Sequence, residues 1–395
     1  MELPPSVVVS GHLMALGVVR SLGRRGVRSV VVSYRDAVDM APASRHVRHS
    51  VRVPHPERDE EGFIAALMRL GPRLEGSPLL PASDESLSVI AHHRDELARW
   101  FRVACPDARV VDAIIEKEHT YALADAIGLP APRTFLPASE DELERMATEL
   151  GYPCLIKPSQ SHRYVELFKR KMVRADDRST LLAAYREARE AGLDVLLQEL
   201  IPGDDGQGVN YNSYRVDGRV VAEFTAQKVR LTPRNFGPPS VVISRRLPEV
   251  MELGRRILDA LGYEGYSCVE FKRDARDGGY RLMEVNGRFN LSSLLSERCG
   301  MNFPWIVYRH LVTGEVESVD DFREGVYWID GTKDLAYGLP ELVRRPWTIG
   351  RFVAPYRAER VFAVLDGDDL WPFAKRYALL AADALRGIGH RVRGG

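Results

Sequence analysis

In the segment YRLMEVNGRFNLSS, residues 280–293, a carboxylate, an amide and a guanidinium (Glu284, Asn286 and Arg288) occupy every second position at the end of an apolar run. Side chains alternate between the two faces of a strand, so this spacing gathers the three groups on one side. The preceding run, YSCVEFK, carries a second carboxylate, Glu270, on a face shared with Cys268 and Lys272, while Val269 and Phe271 take the other. A hairpin centred on Asp277, in the turn DARDGG, sets Glu270 directly across from Glu284, with Cβ atoms about 5 Å apart. It also puts Leu282, Glu284 and Asn286 on one face and Met283 and Val285 on the other. Two carboxylates so placed repel, and both lose hydration. One could be protonated, arginines could neutralise them, or a divalent cation could lie between them. The cation fits best, because magnesium takes oxygen ligands and is commonly held by one or two carboxylates plus substrate phosphates. Asn286 adds a neutral oxygen, and Arg288 could hold an anion beside the metal. An exposed hairpin with solvated charges is the alternative. The flanking Val, Phe, Met and Leu residues argue against it, since they imply a buried opposite face.

A magnesium site of this kind wants phosphates, and phosphates want cations. Lysine is scarce in this chain. Lys157 stands alone in the apolar run CLIKPS, and a lysine in such a strand implies a fixed anionic partner. Lys117 opens a helix at the start of the same region, where a solvated helix lysine would be the plain reading. The run LLQELIPG leaves strand geometry at Pro202 and could offer backbone groups of Gln198, Glu199, Leu200 and Ile201 to an adenine. An ordinary edge strand would read the same way.

These groups need elements to position them. SVVVSGH, a helix over 13–22, VRSVVVSY and SPLLPAS alternate strand and helix, which argues for a parallel sheet with crossover helices. Gly11 and Gly17 read as a tight turn rather than a phosphate loop, because the GxGxxG pattern is absent. Asp84 and Glu85 fall at a carboxyl sheet edge, where open α/β sheets bind ligands; a helix N-terminal role suits them equally. DAIIEKEHTYALADAIG reads as one helix with Asp112 as N-cap. SEDELERMATELG reads as another, with Ser139 and Glu142 as a capping box. YPCLIKPS and KRKMVRA form a strand and its return, followed by the helix STLLAAYREAREAG. The run VNYNSYRV-DG-RVVAEFTAQKVR is a hairpin with an Asp217-Gly218 turn. PSVVISR is a further strand, and helices are expected at 248–261, around 293–299, and over the amphipathic C-terminal run.

Composition sets limits. The 395 residues are enough for two or three domains, with 45% hydrophobic and 28% charged residues as in ordinary globular proteins. The formal net charge is zero, which gives no reason to expect nucleic acid or a membrane surface as a partner. Cys105, Cys154, Cys268 and Cys299 lack zinc or redox spacing and read as reduced, buried thiols. With an N-terminus unlike a signal peptide and no bilayer-length apolar run, a cytoplasmic protein is expected.

Taken together, Lys117, Lys157 in IKPS, the hinge QELIPG, Glu270 and the run Glu284-Val-Asn286-Gly-Arg288 resemble the ATP-grasp superfamily. The similarity extends to the opening VVVSG…GVVRSLGRRG, to LLPASDE and to KVRLTPRNFGPPS, as in ATP-dependent carboligases of the D-aspartate ligase type. It covers about residues 5 to 310. The resemblance implies an α/β and α+β protein: an ATP-grasp fold behind an N-terminal Rossmann-like domain. The expected divisions are 1–111 for that domain, 112–192 for a subdomain with the nucleotide lysines, 193–314 for a subdomain with the magnesium site, and 315–395 as an extension of unknown role. By resemblance, Lys117, Lys157 and Lys171 contact phosphates, and Gln198 to Ile201 hold adenine. Glu270, Glu284 and Asn286 bind two magnesium ions, with manganese an acceptable substitute. Arg288 binds the transferring phosphate or a substrate carboxylate, and Arg230 is a further anion-binding candidate. The segment SQSHRYVELF departs from relatives that carry a glycine-rich loop; His162, Arg163, Lys169 and Lys171 would supply charge there instead. Asp204, Asp205 and Gln207 are candidates for the ribose.

The implied reaction is ATP-dependent joining of a carboxylate to an amine, an amino acid or small peptide, through an acyl phosphate, with ADP and phosphate released. A carboxylase or carbamoyl-forming enzyme and a non-catalytic nucleotide-binding relative are the alternatives; the segment after about residue 315 could cap the substrate site or mediate a homodimer.

Overall fold

The computed structural model describes residues 3–35, 39–159, 164, 167–234 and 236–393, with side chains through residue 382. Three sheets organise it. The first is parallel and holds β1 (Ser6–Val9), β2 (Ser29–Ser33), β3 (Val47–Arg52), β4 (Pro78–Pro81) and β5 (Arg102–Val103), in the order β3-β2-β1-β4-β5. The triple-valine runs of β1 and β2 are buried because helices cover both faces of a parallel sheet. The helix Leu13–Gly23 follows β1, and Asp84–His92 follows β4, so the expected Rossmann-like alternation is present.

The second sheet is antiparallel: β6 (Thr134–Phe135), β7 (Cys154–Pro158), β8 (Val173–Ala175) and β9 (Val195–Glu199), in the order β6-β9-β7-β8. Helices Glu140–Leu150 and Arg178–Glu190 back it. At the first of these, Ser139 Oγ accepts from Glu142 N at 3.2 Å while the Glu142 carboxylate accepts from Ala138 N, one residue before the cap expected from the sequence. Leu143, Ile156, Leu181, Leu197 and their neighbours form a core of their own.

The third sheet has seven strands: β10 (Gly208–Val216), β11 (Arg219–Leu231), β12 (Pro239–Ser244), β13 (Gly265–Arg273), β14 (Tyr280–Asn286), β15 (Tyr327–Ile329) and β16 (Arg360–Phe362). Their order is β14-β13-β10-β11-β12-β15-β16. Asp217 and Gly218 both take positive φ (52° and 72°), as a two-residue hairpin turn requires. This sheet and the parallel sheet share one hydrophobic core, which the small antiparallel sheet does not join. The last two strands come from the region beyond residue 314, so the C-terminal stretch extends the sheet that carries Glu270 and Glu284.

Two expectations need correction. The helix expected across residue 116 is two helices, Ala108–Ile115 capped by Asp107 and Lys117–Ala126, because Glu116 takes an extended conformation (φ −80°, ψ 93°). The hydroxyl of Thr120 donates to the carbonyl of Ala113 at 2.8 Å and satisfies an acceptor the break leaves without a helical partner. In the β13–β14 hairpin, Leu282 pairs with Phe271 rather than following Glu284, since Met283 is an extra residue between the Glu270–Glu284 and Phe271–Leu282 pairs. This β-bulge turns Leu282 into the core beside Phe271 and Val285. The four cysteines are free and buried. Among the described residues, no helix is long and apolar enough to cross a membrane.

Candidate active site

All three sheets meet at one cavity of about 1530 Å³. Its walls bring together Lys117, Lys157, Lys171, Leu200, Ile201, Glu270, Glu284, Asn286 and Arg288, which the sequence separates by up to 171 positions.

The acid pair forms the floor. Glu270 on β13 stands opposite Glu284 on β14, as the hairpin arithmetic expects, and Asn286 stands opposite Cys268. Asn286 directs its Nδ2 toward the carbonyl of Cys268 at 3.5 Å, which leaves Oδ1 for another partner. The repulsion between the acids is partly relieved by a residue to which the sequence reading gave no role. Lys228, on β11, places Nζ 2.5 Å from Glu270 Oε2. Burial works against charge on both groups, but the pairing prevails: the Glu270 carboxyl is held below its ordinary range and the Lys228 ammonium above its own. The ion pair that Glu284 makes is a long one, with Lys117 Nζ at 3.9 Å, and its side chain is 41% exposed. Asn210 was also missed. It sits on β10 opposite Glu270, and its Oδ1 is buried with no hydrogen-bond partner among the described residues. Both missed residues follow from strand alternation once β10 is known to pair with β13 and β11 with β10; the pairing order was the signal the sequence lacked.

Lys157 faces this floor from the small sheet. It is 8% exposed, in register with Leu196 of β9, and no carboxylate lies within ion-pair distance among the described residues. Burial pulls its pKa down to about 8; Glu284 and Glu270 oppose that shift from farther off. Lys169 and Lys171 line the same wall, whereas His162 and Arg163 lie outside the described residues.

The hinge segment divides. Leu200 and Ile201 line the cavity with Pro202 and Gly203, but the side chains of Gln198 and Glu199 do not. Gln198 is fully buried and donates to Thr134 Oγ1 at 2.9 Å. The Glu199 carboxylate accepts from Arg276 at 2.6 Å and from the backbone N of Arg133 at 3.1 Å. Both side chains anchor the hinge, so an adenine at this edge would meet backbone and the side chains of Leu200 and Ile201. Lys272 Nζ donates to the carbonyl of Ile201 at 2.8 Å and ties the segment to β13. Asp204 and Asp205 border the cavity; Asp204 accepts from Gly206 N at 3.0 Å.

The arginines differ. Arg288 lies in the cavity wall, bidentate to Asp84. Arg230, expected as an anion binder, is instead held by Asp334 through two hydrogen bonds of 2.8 Å and lies over the ring of Phe352 at 4.7 Å. Asp334 is buried, so it fixes the guanidinium as an anchor for the C-terminal helices, outside the cavity wall.

Oxygen donors, buried cations and an apolar edge thus line one cleft between the sheets, a set of groups that could hold phosphates and a divalent cation. The comparisons agree with that class. No family model matches the chain. It is similar to the D-aspartate ligase of Enterococcus faecium (strain Aus0004), 25% identical over 256 residues, 61% of each protein. It is also similar to the D-alanine--D-alanine ligase of Ectopseudomonas mendocina (strain ymp), 26% identical over 186 residues, 44% of this chain and 55% of that one. The matched segments thus span less than two thirds of either relative. Among solved structures, biotin carboxylase of Campylobacter jejuni superposes with a TM-score of 0.64 at 16% identity, over 82% of this chain and 74% of that one. These similarities all indicate the ATP-grasp superfamily.

Proposed function

We propose that the protein is an ATP- and magnesium-dependent ligase that joins a carboxylate to an amine, with an amino acid or small peptide as substrate. The observation that carries this reading is Lys157. A buried ammonium without a carboxylate partner, facing two acids across a cleft, is costly unless an anion arrives. A phosphate chain bound between Lys157 and the acid pair supplies that anion. The acids then need a bridging cation, and two carboxylates with an amide oxygen are a donor set that suits magnesium. Bound magnesium would neutralise charge building on the phosphate oxygens.

The remaining work falls to the chain's own side chains. Lys117, Lys157 and Lys171 hold the phosphates, and Leu200 and Ile201 seat the base. Lys228 holds Glu270 ionised and limits its repulsion from Glu284. Arg288 receives the transferring group. A substrate carboxylate oxygen attacks the terminal phosphorus, and its bond to the ADP oxygen breaks. The amine then attacks the acyl carbon, phosphate leaves, and the nitrogen gives up a proton to yield the amide. Positioning and charge stabilisation do most of this work, as in phosphoryl transfer generally. The two relatives described above are named as ligases of amino acids, which supports carboxylate–amine joining.

The test is ADP release by the purified protein against pools of carboxylic acids and amines. Release that needs both partners is expected. Release with bicarbonate alone would replace this reading with a carboxylase, and no release with any pool would remove the enzyme reading.

A further inference from the structure

Arg288 is gripped on one edge only. Its Nε and Nη2 donate to Oδ1 and Oδ2 of Asp84, at 2.9 Å each. A guanidinium presents its donors as a rigid planar fork, and this pair occupies the Nε/Nη2 edge. Among the described residues, Nη1 has no hydrogen-bond partner, so the Nη1/Nη2 edge remains open. The side chain is only 16% exposed and shares the cavity wall with Lys157 and Glu284.

Asp84 comes from a different part of the fold. It is the first residue of helix Asp84–His92, which leaves β4 of the parallel sheet, 204 positions from Arg288. That helix start is itself fixed. Ser83 caps it by accepting from Ser86 N at 3.2 Å, and the Tyr34 hydroxyl meets Ser83 Oγ at 2.5 Å. Next to it, Glu85 is tied to Arg35 at 2.5 Å. The carboxyl edge of the parallel sheet therefore reaches into the cavity and takes hold of the arginine that ends the acid hairpin. Without Asp84, the carboxylate that pulls most strongly on Arg288 is Glu284. Collapse onto Glu284 would block the guanidinium and one of the two floor acids at once.

We propose that Asp84 is a positioning residue. It holds the Nε/Nη2 edge of Arg288 so that the opposite edge faces the transferring phosphate, and it keeps the arginine off Glu284. This rests on the nucleotide site of the ligase reading.

Calorimetric binding of Mg–AMP-PNP and Mg–ADP to the full chain tests it without requiring turnover. Asp84→Asn is nearly isosteric and is expected to weaken Mg–AMP-PNP about tenfold, the scale of one lost charge-assisted contact. Mg–ADP, which lacks the terminal phosphate, should change less than about twofold. Asp84→Glu should recover part of the loss, and Asp84→Asn should add little on an Arg288→Lys background. Equal weakening of both nucleotides, unchanged binding of both, or losses that add to those of Arg288→Lys would overturn the assignment. If the wild type binds neither nucleotide, the ligase reading falls and takes this one with it; normal wild-type binding with an indifferent Asp84→Asn removes only the role of Asp84.

Discussion

Two buried lysines face the same cavity from opposite walls, and they are in opposite states. Lys228, on the seven-stranded sheet, is bonded to Glu270, and its proton is held more tightly than in water. Lys157, on the four-stranded sheet, has no acid within pairing distance among the described residues, and its proton is held more loosely. The first is a finished structural pair; the second is half of a pair. The walls differ in the same sense: the large sheet shares its core with the parallel sheet, while the small sheet has a separate core. A charge completed within the body holds the floor, and the charge on the separate unit has no such partner among the described residues. On the ligase reading, that difference picks out the cation a phosphate ligand would satisfy, something neither lysine would reveal alone.

The largest effects should come from the floor. Glu284→Ala is expected to cut ADP release by a thousandfold or more, roughly the scale of losing a preorganised charge contact at the reacting group. Its melting temperature should stay near that of the wild type, because the removed side chain is half-exposed and its ion pair with Lys117 is long, at 3.9 Å. Glu270→Gln should be as inactive, yet it should also lose stability by about 1–3 kcal/mol, since it leaves Lys228 without its acid. Equal melting temperatures for the two variants would break the comparison at its root.

The lysines themselves should separate by sign. Lys228→Met strands Glu270 and should lower stability by about 1–3 kcal/mol in chemical denaturation. Lys157→Met removes a buried charge that has no partner and should leave stability unchanged or raise it. Its cost should appear only with nucleotide, as a dissociation constant about ten- to a hundredfold higher in calorimetry. A destabilised Lys157→Met would mean that the lysine already has a partner in the free protein.

Much of this site could be read from sequence because strands convert spacing into geometry. The alternation of Glu284, Asn286 and Arg288 gave the floor, and a hairpin centred on Asp277 gave its partner acid across the ladder. The isolation of Lys157 in an apolar run gave the opposite wall. What escaped was whatever depends on the order of strands that are distant in the chain. Lys228 and Asn210 meet Glu270 only because β10 lies between β13 and β11. Arg230 looked available because Asp334, its buried partner, lies 104 positions away in a region whose strands carry only three residues each. The bulge at Met283 and the break at Glu116 are local, but no glycine or proline marks either place in the sequence.

The smallest effect is also the most specific to the unpaired lysine. Burial lowers the pKa of Lys157 from 10.5 to about 8, so in the free protein it loses its proton in a range where an ordinary lysine keeps it. The sign follows. A base whose folded pKa is depressed costs stability while it is protonated, fully below about pH 8, and that cost fades as pH rises toward 10.5. Between those values the wild type should therefore gain stability relative to Lys157→Met. Phosphate binding reverses the imbalance, because an anion beside the ammonium favours the charged form. Near pH 8.5, nucleotide binding should take up a fraction of a proton. Calorimetry in buffers of different ionisation enthalpy measures this directly: the apparent binding enthalpy should vary with the buffer in the wild type and lose most of that dependence in Lys157→Met. Lys228, already paired, should contribute almost nothing to the uptake. If the dependence were instead lost with Lys228→Met and retained with Lys157→Met, the roles of the two walls would have to be exchanged.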